Sequence, residues 1–195
     1  MSFSLFILNS LLLGVGLSMD AFSVSVADGL QETDMSRRRQ AAIAGIYALF
    51  QFAMPLLGYL LTGALVTFFR QFQALIPWVS LALLAVIGGN MIFEGVRGEA
   101  VTAGAKKLGN TALLLQGIAT SIDALSVGLT FSSYTFPMVL FSAVIIGAVT
   151  FAVCAAGLSL GKYFGEKISG RARIVGGVIL IAIGLEIFVR GMFFG

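Results

Sequence analysis

Histidine is absent from the 195-residue chain, cysteine occurs once, and charged residues make up only 11% of it. The lack of histidine excludes imidazole metal ligands and histidine-based catalytic triads. The single cysteine, Cys154, excludes an internal disulfide, and its apolar surroundings predict a space-filling role. Any chemistry must therefore use carboxylates and neutral oxygen atoms.

Apolar residues make up 58% of the chain, and the mean hydropathy of the chain is +1.02. Soluble proteins carry roughly a quarter charged residues, so this composition predicts a membrane protein. One helical span needs about 20 mostly apolar residues, which leaves no room for a separate soluble domain. The first twenty residues lack a basic start and a small-residue cleavage site, so we expect a retained first helix.

The charged residues mark the ends of six predicted helices. The predicted spans are residues 2–27, 40–69, 71–93, two helices within 108–161, and 174 to about 193. The turn signal SSYTFP at residues 132–137 separates the fourth helix from the fifth. The predicted fold class is therefore an all-α membrane protein with six transmembrane helices.

Lysine and arginine are distributed unevenly over the connections. Ten of the twelve lie in loops one, three and five, and the other two are Arg70 and Arg190. The positive-inside rule therefore predicts a multi-pass membrane protein with these loops in the cytoplasm and both termini outside. Loop orientation also explains the net charge of +3, so we expect no nucleic-acid partner.

The two halves of the sequence resemble each other. SMDAFSVSV at residues 18–26 returns as SIDALSVGL at residues 121–129, and VRG ends both the third and the sixth helix. Each half holds three spans, an odd number, so the second half must be inverted relative to the first. We expect one transmembrane domain, 1–195, with repeats at about 1–98 and 108–195 and a cytoplasmic linker at about 99–107.

The repeated motif places one carboxylate, Asp20 or Asp123, inside each apolar half. A charge there costs about 2.5–3.5 kcal/mol on insertion scales and usually lines a polar pathway. The alternative is packing through hydrogen bonds to serines, which serine or asparagine would provide at lower cost. Two close carboxylates cannot both ionise comfortably, whereas a divalent cation neutralises both. Without histidine, oxygen ligands favour magnesium, calcium or manganese.

Serines accompany both aspartates. Ser23 and Ser126 follow them by three residues on the same helical face. Ser18 and Ser121 would join a site only if the helix unwinds, which nearby glycines permit. The alternative for each serine is a hydrogen bond to a carbonyl of its own helix.

Four further side chains are candidates. Gln51 lies in mid-span, where its amide could bind a cation or bridge two helices. Asn90 and Glu186 could form an entry or exit path, since intramembrane carboxylates usually mark one. Met19 offers a thioether, although packing is the commoner role of methionine in an apolar helix.

At SMDAFSVS, TSIDALSVG, GGNMIFEGVRG and GGVILIAIG the chain resembles the MntP-type manganese efflux pumps of bacteria. The resemblance covers nearly the whole length. It implies export of manganese across the cytoplasmic membrane for metal homeostasis, with Asp20 and Asp123 as the paired aspartates. It also implies a transporter without enzymatic activity, whose only metal is the manganese it carries. The direction of transport follows from the resemblance alone.

The prediction is alternating access around a midplane site in the lipid bilayer, with protons as a candidate counter-ion and no indicated oligomeric state. One rival is an exporter of amino acids or small organic cations, in which the aspartates pair with an ammonium group. Another is an intramembrane aspartyl protease, since two aspartates sharing a proton can activate water. The near-identical S-x-D-A settings of Asp20 and Asp123 argue against the protease.

Overall fold

The structure is a computed structural model that describes residues 3–61, 76–96, 108–131, 134–168 and 172–193. Helix is its regular secondary structure, and the described residues include no strand. The helices are α1 (Phe3–Gln31), α2 (Arg37–Leu61), α3 (Ile76–Val96), α4 (Asn110–Thr120), α5 (Ile122–Thr130), α6 (Phe136–Ile168) and α7 (Ala172–Phe193). The predicted all-α class is therefore confirmed for the described chain.

Helices α4 and α5 are two parts of one span. Only Ser121 separates them, and its φ of −114° and ψ of 6° interrupt the helical backbone. Counted as one, they bring the helices of the described residues to six, the number that the sequence predicts. Helix α1, which carries the other copy of the motif, runs without a break.

Four described helical runs are long and apolar enough to cross a membrane: Ser4–Gln31, Arg37–Leu61, Asn110–Thr130 and Phe136–Gly165. The stretches Pro77–Phe93 and Ile174–Val189 are shorter but also apolar. Many large apolar side chains on these helices face outward, including those of Leu60 and Val86. A bilayer would cover such a surface, and the chain is accordingly a multi-pass membrane protein.

Glycines allow the closest helix crossings. A Cβ atom at Gly161 of α6 would lie 2.9 Å from the Cα of Gly29 in α1, and one at Gly58 of α2 would lie 2.9 Å from the Cα of Gly128 in α5. Only glycine permits such backbone contact between helices. Gly161 follows Gly58 by 103 residues, the same spacing that separates Asp123 from Asp20.

Several helix ends differ from the predicted ones. Helix α1 continues past residue 27 to Gln31, and α6 continues past residue 161 to Ile168. The prediction ends each span near a charged residue, but a charge that has partners inside the protein need not end a helix. The linker at 99–107, Arg70 and part of the turn at 132–137 lie outside the described residues.

Candidate functional site

The amide of Gln51 joins the two copies of the aspartate motif. Its Nε2 atom donates to the carbonyl oxygen of Leu17 at 2.8 Å and to that of Thr120 at 3.1 Å. Each carbonyl belongs to the residue three positions before Asp20 or Asp123, about one helical turn away. The Gln51 side chain, which comes from α2, is therefore hydrogen-bonded to both copies of the motif.

The oxygen atom of the same amide has no hydrogen-bond partner in the described structure. Gln51 is only 1% exposed, and its Oε1 atom has no hydrogen-bond partner in the described structure. The two bonds from Nε2 to carbonyl oxygens fix which end of the amide is oxygen, because a carbonyl cannot accept from another oxygen without a hydrogen. A buried, unsatisfied acceptor costs about 1–3 kcal/mol. A cation bound at this oxygen would offset that cost.

The helix break at Ser121 positions Asp123. This aspartate lies in the first turn of α5 and is exposed, and its Oδ1 atom accepts a hydrogen bond from the Ala124 backbone at 2.8 Å. The N-terminus of a helix carries partial positive charge, which favours an ionised carboxylate. Asp20 is half-buried in the continuous helix α1.

An open cavity of about 860 Å³ reaches Asp123. Asn9, Gly16 and Met19 of α1 form one side of it, and Tyr134 lies on the side beyond α5. Met19, next to Asp20, is 53% exposed. The cavity lies toward the N-terminus of α1, at the opposite end of that helix from loop one, so it gives a solvated ion access to Asp123 from that end.

The four candidate serines all donate hydrogen bonds to carbonyls of their own helices. The bonds are Ser18 to Val15 at 2.9 Å, Ser23 to Met19 at 3.1 Å, Ser121 to Gly117 at 2.7 Å and Ser126 to Ile122 at 3.5 Å. Such a bond uses the hydroxyl hydrogen and leaves the oxygen lone pairs for a second contact. The geometry is thus compatible both with ordinary back-bonding and with ligation through oxygen.

Asn90 and Glu186 lie on two helices that carry none of these groups. They belong to α3 and α7, which pack extensively on each other, and both are exposed. As far as the structure describes its lining, the cavity at Asp123 includes neither side chain. Their role in an entry or exit path stays a prediction.

Sequence reasoning missed a second polar cluster, formed by Asp28, Tyr47 and Gln116. All three are completely buried. The Tyr47 hydroxyl lies 2.5 Å from Asp28 Oδ2 and 3.1 Å from Gln116 Oε1, and Gln116 Nε2 lies 3.1 Å from Asp28 Oδ1. The available signal was the spacing of Asp28, eight residues or about two helical turns after Asp20.

A third set of polar contacts closes the bundle at loop one. Arg39 Nη2 donates to the Leu108 carbonyl at 2.6 Å, and the Leu108 amide donates to Glu32 Oε2 at 3.0 Å. Arg39 Nε also lies 3.5 Å from Glu32 Oε1. These bonds tie loop one to the segment that precedes α4.

No three acidic or cysteine side chains converge to hold a metal within the part of the chain that the structure describes. A cation beside Asp20 and Asp123 would therefore also need neutral oxygens. The Gln51 Oε1 atom and the serine hydroxyls are of that kind, and oxygen ligands suit magnesium, calcium and manganese.

Comparison with known proteins identifies the family. Residues 34–188 match the family model described as "Putative manganese efflux pump". A protein of Ruminiclostridium cellulolyticum named "Putative manganese efflux pump MntP" is 40% identical over 95% of this chain and 96% of its own. Proteins of the same name from Parabacteroides distasonis and Methanosarcina mazei are each 37% identical, over 94% and 95% of this chain and 96% and 97% of their own. No solved structure matches the chain.

These relatives are named as pumps, which are transporters and not enzymes, so the protease alternative is excluded. The similarity extends over nearly the whole chain. The resemblance stated from the sequence is thus confirmed, and the chain belongs to the MntP family of putative manganese efflux pumps.

Proposed function

We propose that this protein exports manganese(II) across the bacterial inner membrane by alternating access around Asp20 and Asp123. The names of the relatives support manganese and the outward direction. The observation that carries the site is the Gln51 amide, which bonds the carbonyls one turn before each aspartate. It supports a single site that both motifs share.

The proposed ligands are the two carboxylates, the Gln51 Oε1 atom and oxygens of Ser23, Ser126 and Ser121. Ser18 does not join them, because its helix α1 is unbroken. Two carboxylates neutralise a divalent cation, and the amide oxygen has no competing hydrogen bond among the described residues. Hard oxygen donors of this kind suit manganese. The open cavity at Asp123 supports access for the ion from one side of the membrane.

Alternating access requires two related halves, and an inverted repeat is our proposal for them. Equivalent spacing supports it: Leu17 and Thr120, like Gly58 and Gly161, are 103 residues apart and make matching contacts. In this structure the helix bundle is open at the end that holds the cavity. At the opposite end, next to loop one, hydrogen bonds join Glu32, Arg39 and Leu108. We infer that export uses a second conformation in which this closure opens.

The proposed orientation has both termini outside, so the cavity faces outward. Cysteine labelling at Ser2, Lys106 and Gly195, in a variant lacking Cys154, tests this. Only the cysteine at position 106 should resist an impermeant reagent added to intact cells. Labelling there, with protection at the termini, would reverse the orientation and make the described conformation inward-open.

The decisive experiment measures cellular metal content element by element, with and without the protein. Manganese alone should rise when the protein is removed. Asp20→Asn and Asp123→Asn should fail to restore export at normal membrane abundance. Asp34→Asn is the matched control, because Asp34 is exposed in loop one, and it should restore export. A rise in another metal, or full export by either site variant, would overturn the proposal.

A further inference from the structure

Asp28, Tyr47 and Gln116 form a closed ring of three polar contacts, which we call the buried ring. Each residue contacts the other two, at 2.5, 3.1 and 3.1 Å. The residues come from α1, α2 and α4, and none is exposed. The hydrogen bonds within the ring must therefore satisfy these groups without bulk water.

An ionised Asp28 cannot satisfy all three contacts. A carboxylate only accepts, so the ring would contain two donors, the Tyr47 hydroxyl and the Gln116 amide, for three contacts. The single hydroxyl hydrogen of Tyr47 would serve either Asp28 or Gln116. The remaining contact would bring two oxygens together without a hydrogen between them.

A protonated Asp28 satisfies every contact. The acid hydroxyl donates to Tyr47, Tyr47 donates to Gln116, and the Gln116 amide donates back to Asp28. Rotating the Gln116 amide reverses the direction of donation but leaves the count unchanged, because the amide supplies one donor and one acceptor either way. The ring thus matches donors to acceptors only when Asp28 carries a proton.

We propose that Asp28 is a proton-binding site and that its proton is the counter-ion of transport. This inference rests on the proposed function of manganese export. Opening of the ring releases the proton as H⁺ and leaves a carboxylate that still accepts from Tyr47 and Gln116. Closing the ring takes up one proton again.

The position of the buried ring couples it to the metal site. Asp28 shares α1 with Asp20, and Tyr47 lies one helical turn before Gln51 on α2. Gln116 precedes Thr120, the second partner of Gln51, by four residues on α4. A shift of these three helices relative to one another would therefore change the metal site and break the ring together.

The other charged and titratable groups around Asp28 do not take its proton. Among the described residues these are Glu32, Arg39, Tyr47 and Cys154. Lys162 of α6 packs beside Gly29, and its ammonium group donates to the Met35 carbonyl at 3.2 Å. Arg39 is bound by Glu32 and by the Leu108 carbonyl, so its charge is already engaged. Where α3 and α7 approach the neighbouring Ala27, they present Met91 and Gly176, which do not titrate.

Infrared spectroscopy of the purified protein in lipid nanodiscs tests whether Asp28 is protonated. At neutral pH the wild type should show a carboxylic-acid carbonyl band that Asp28→Asn lacks. Asparagine donates and accepts as the acid does, so this variant keeps the ring closed and should fold. Asp34→Asn, the control, should keep the band. Identical acid bands in the wild type and Asp28→Asn would overturn the proposal.

Manganese flux in proteoliposomes tests the coupling. Flux through the wild type should change with the pH difference across the membrane, and flux through Asp28→Asn should be the same at every pH difference. Equal pH dependence in both proteins would overturn Asp28 as the coupling site. If the wild type moves no manganese, the proposed function fails, while the infrared result still decides proton binding at Asp28.

Discussion

Asp123 and Asp28 both lie in apolar helices, and their surroundings differ. Asp123 lines an open cavity, and the oxygen of Gln51, whose amide nitrogen bonds Thr120 one turn before Asp123, has no hydrogen-bond partner in the described structure. Asp28 lies in the buried ring, where both of its oxygens have partners. The first arrangement has access for an ion and a free acceptor at Gln51, whereas the second has room only for a proton.

Helix ends explain part of this difference. Asp123 lies in the first turn of α5, where the helix dipole favours a negative charge. Asp28 lies three residues before the end of α1, where the same dipole disfavours a negative charge. The break at Ser121 creates the favourable position, and the extension of α1 past residue 27 creates the unfavourable one. An aspartate side chain thus suits a metal ion at the start of a helix and a proton near the end of one.

The largest expected effect comes from removing the charges at the cavity. Asp20→Asn and Asp123→Asn should each abolish manganese resistance, because each removes half of the charge that compensates the ion. The double variant should be no worse than either single one, since residues that act as a unit are not additive. Growth in manganese, with membrane abundance checked by immunoblot, measures this. A double variant far more sensitive than both singles would indicate two independent sites.

The next largest effect concerns the glycine crossing beside the buried ring. Gly161→Ala would push α6 away from α1 at Gly29, the neighbour of Asp28, and overpacking of this kind costs about 1–3 kcal/mol. Thermal unfolding in detergent measures the loss. Gly45→Ala is the control, because a Cβ atom at Gly45 has no neighbour within 4 Å. Equal unfolding temperatures for the two variants would contradict the close crossing.

Much of the architecture follows from the sequence. Runs of apolar residues predict six helices, and the repeated S-x-D-A motif identifies Asp20 and Asp123 as the residues that need explanation. These signals are local, so they can be read from spacing alone. The sequence leaves two roles open for Gln51, binding a cation or bridging two helices. It cannot show the hydrogen bonds that Gln51 makes, because their acceptors lie 34 and 69 residues away.

The buried ring could not be predicted because its members are distant in sequence and differ in type. Asp28 lies next to loop one, and a charge in that position usually reaches water at the membrane surface. Its burial depends on Tyr47 and Gln116, which carry no charge and stand alone in apolar runs. Only the packing of three helices shows that they meet.

A moderate effect should follow from replacing the bridging amide. Gln51→Leu removes two hydrogen bonds, each contributing about 1 kcal/mol, and leaves two carbonyls near the aspartates without this donor. We expect a loss of roughly 2 kcal/mol in stability and of most of the stabilisation by manganese. Thermal unfolding with and without manganese measures both. Gln40→Leu, at the loop-one end of the same helix, should keep the response to manganese, and an equal response in both variants would remove Gln51 from the site.

The smallest effect separates back-bonding from ligation at the serines. Ser23→Ala and Ser126→Ala each remove a bond to the preceding turn, a change usually worth no more than about 0.5 kcal/mol in stability. Ser159→Ala is the matched control, because Ser159 makes the same kind of bond, to Ala155 at 2.8 Å, on α6 toward loop one. If the serine oxygens also bind manganese, the first two variants should weaken its apparent affinity severalfold, since each supplies one neutral ligand among several, while the control should not. Calorimetric titration of purified protein measures the affinities, and three equal values would assign Ser23 and Ser126 to back-bonding alone.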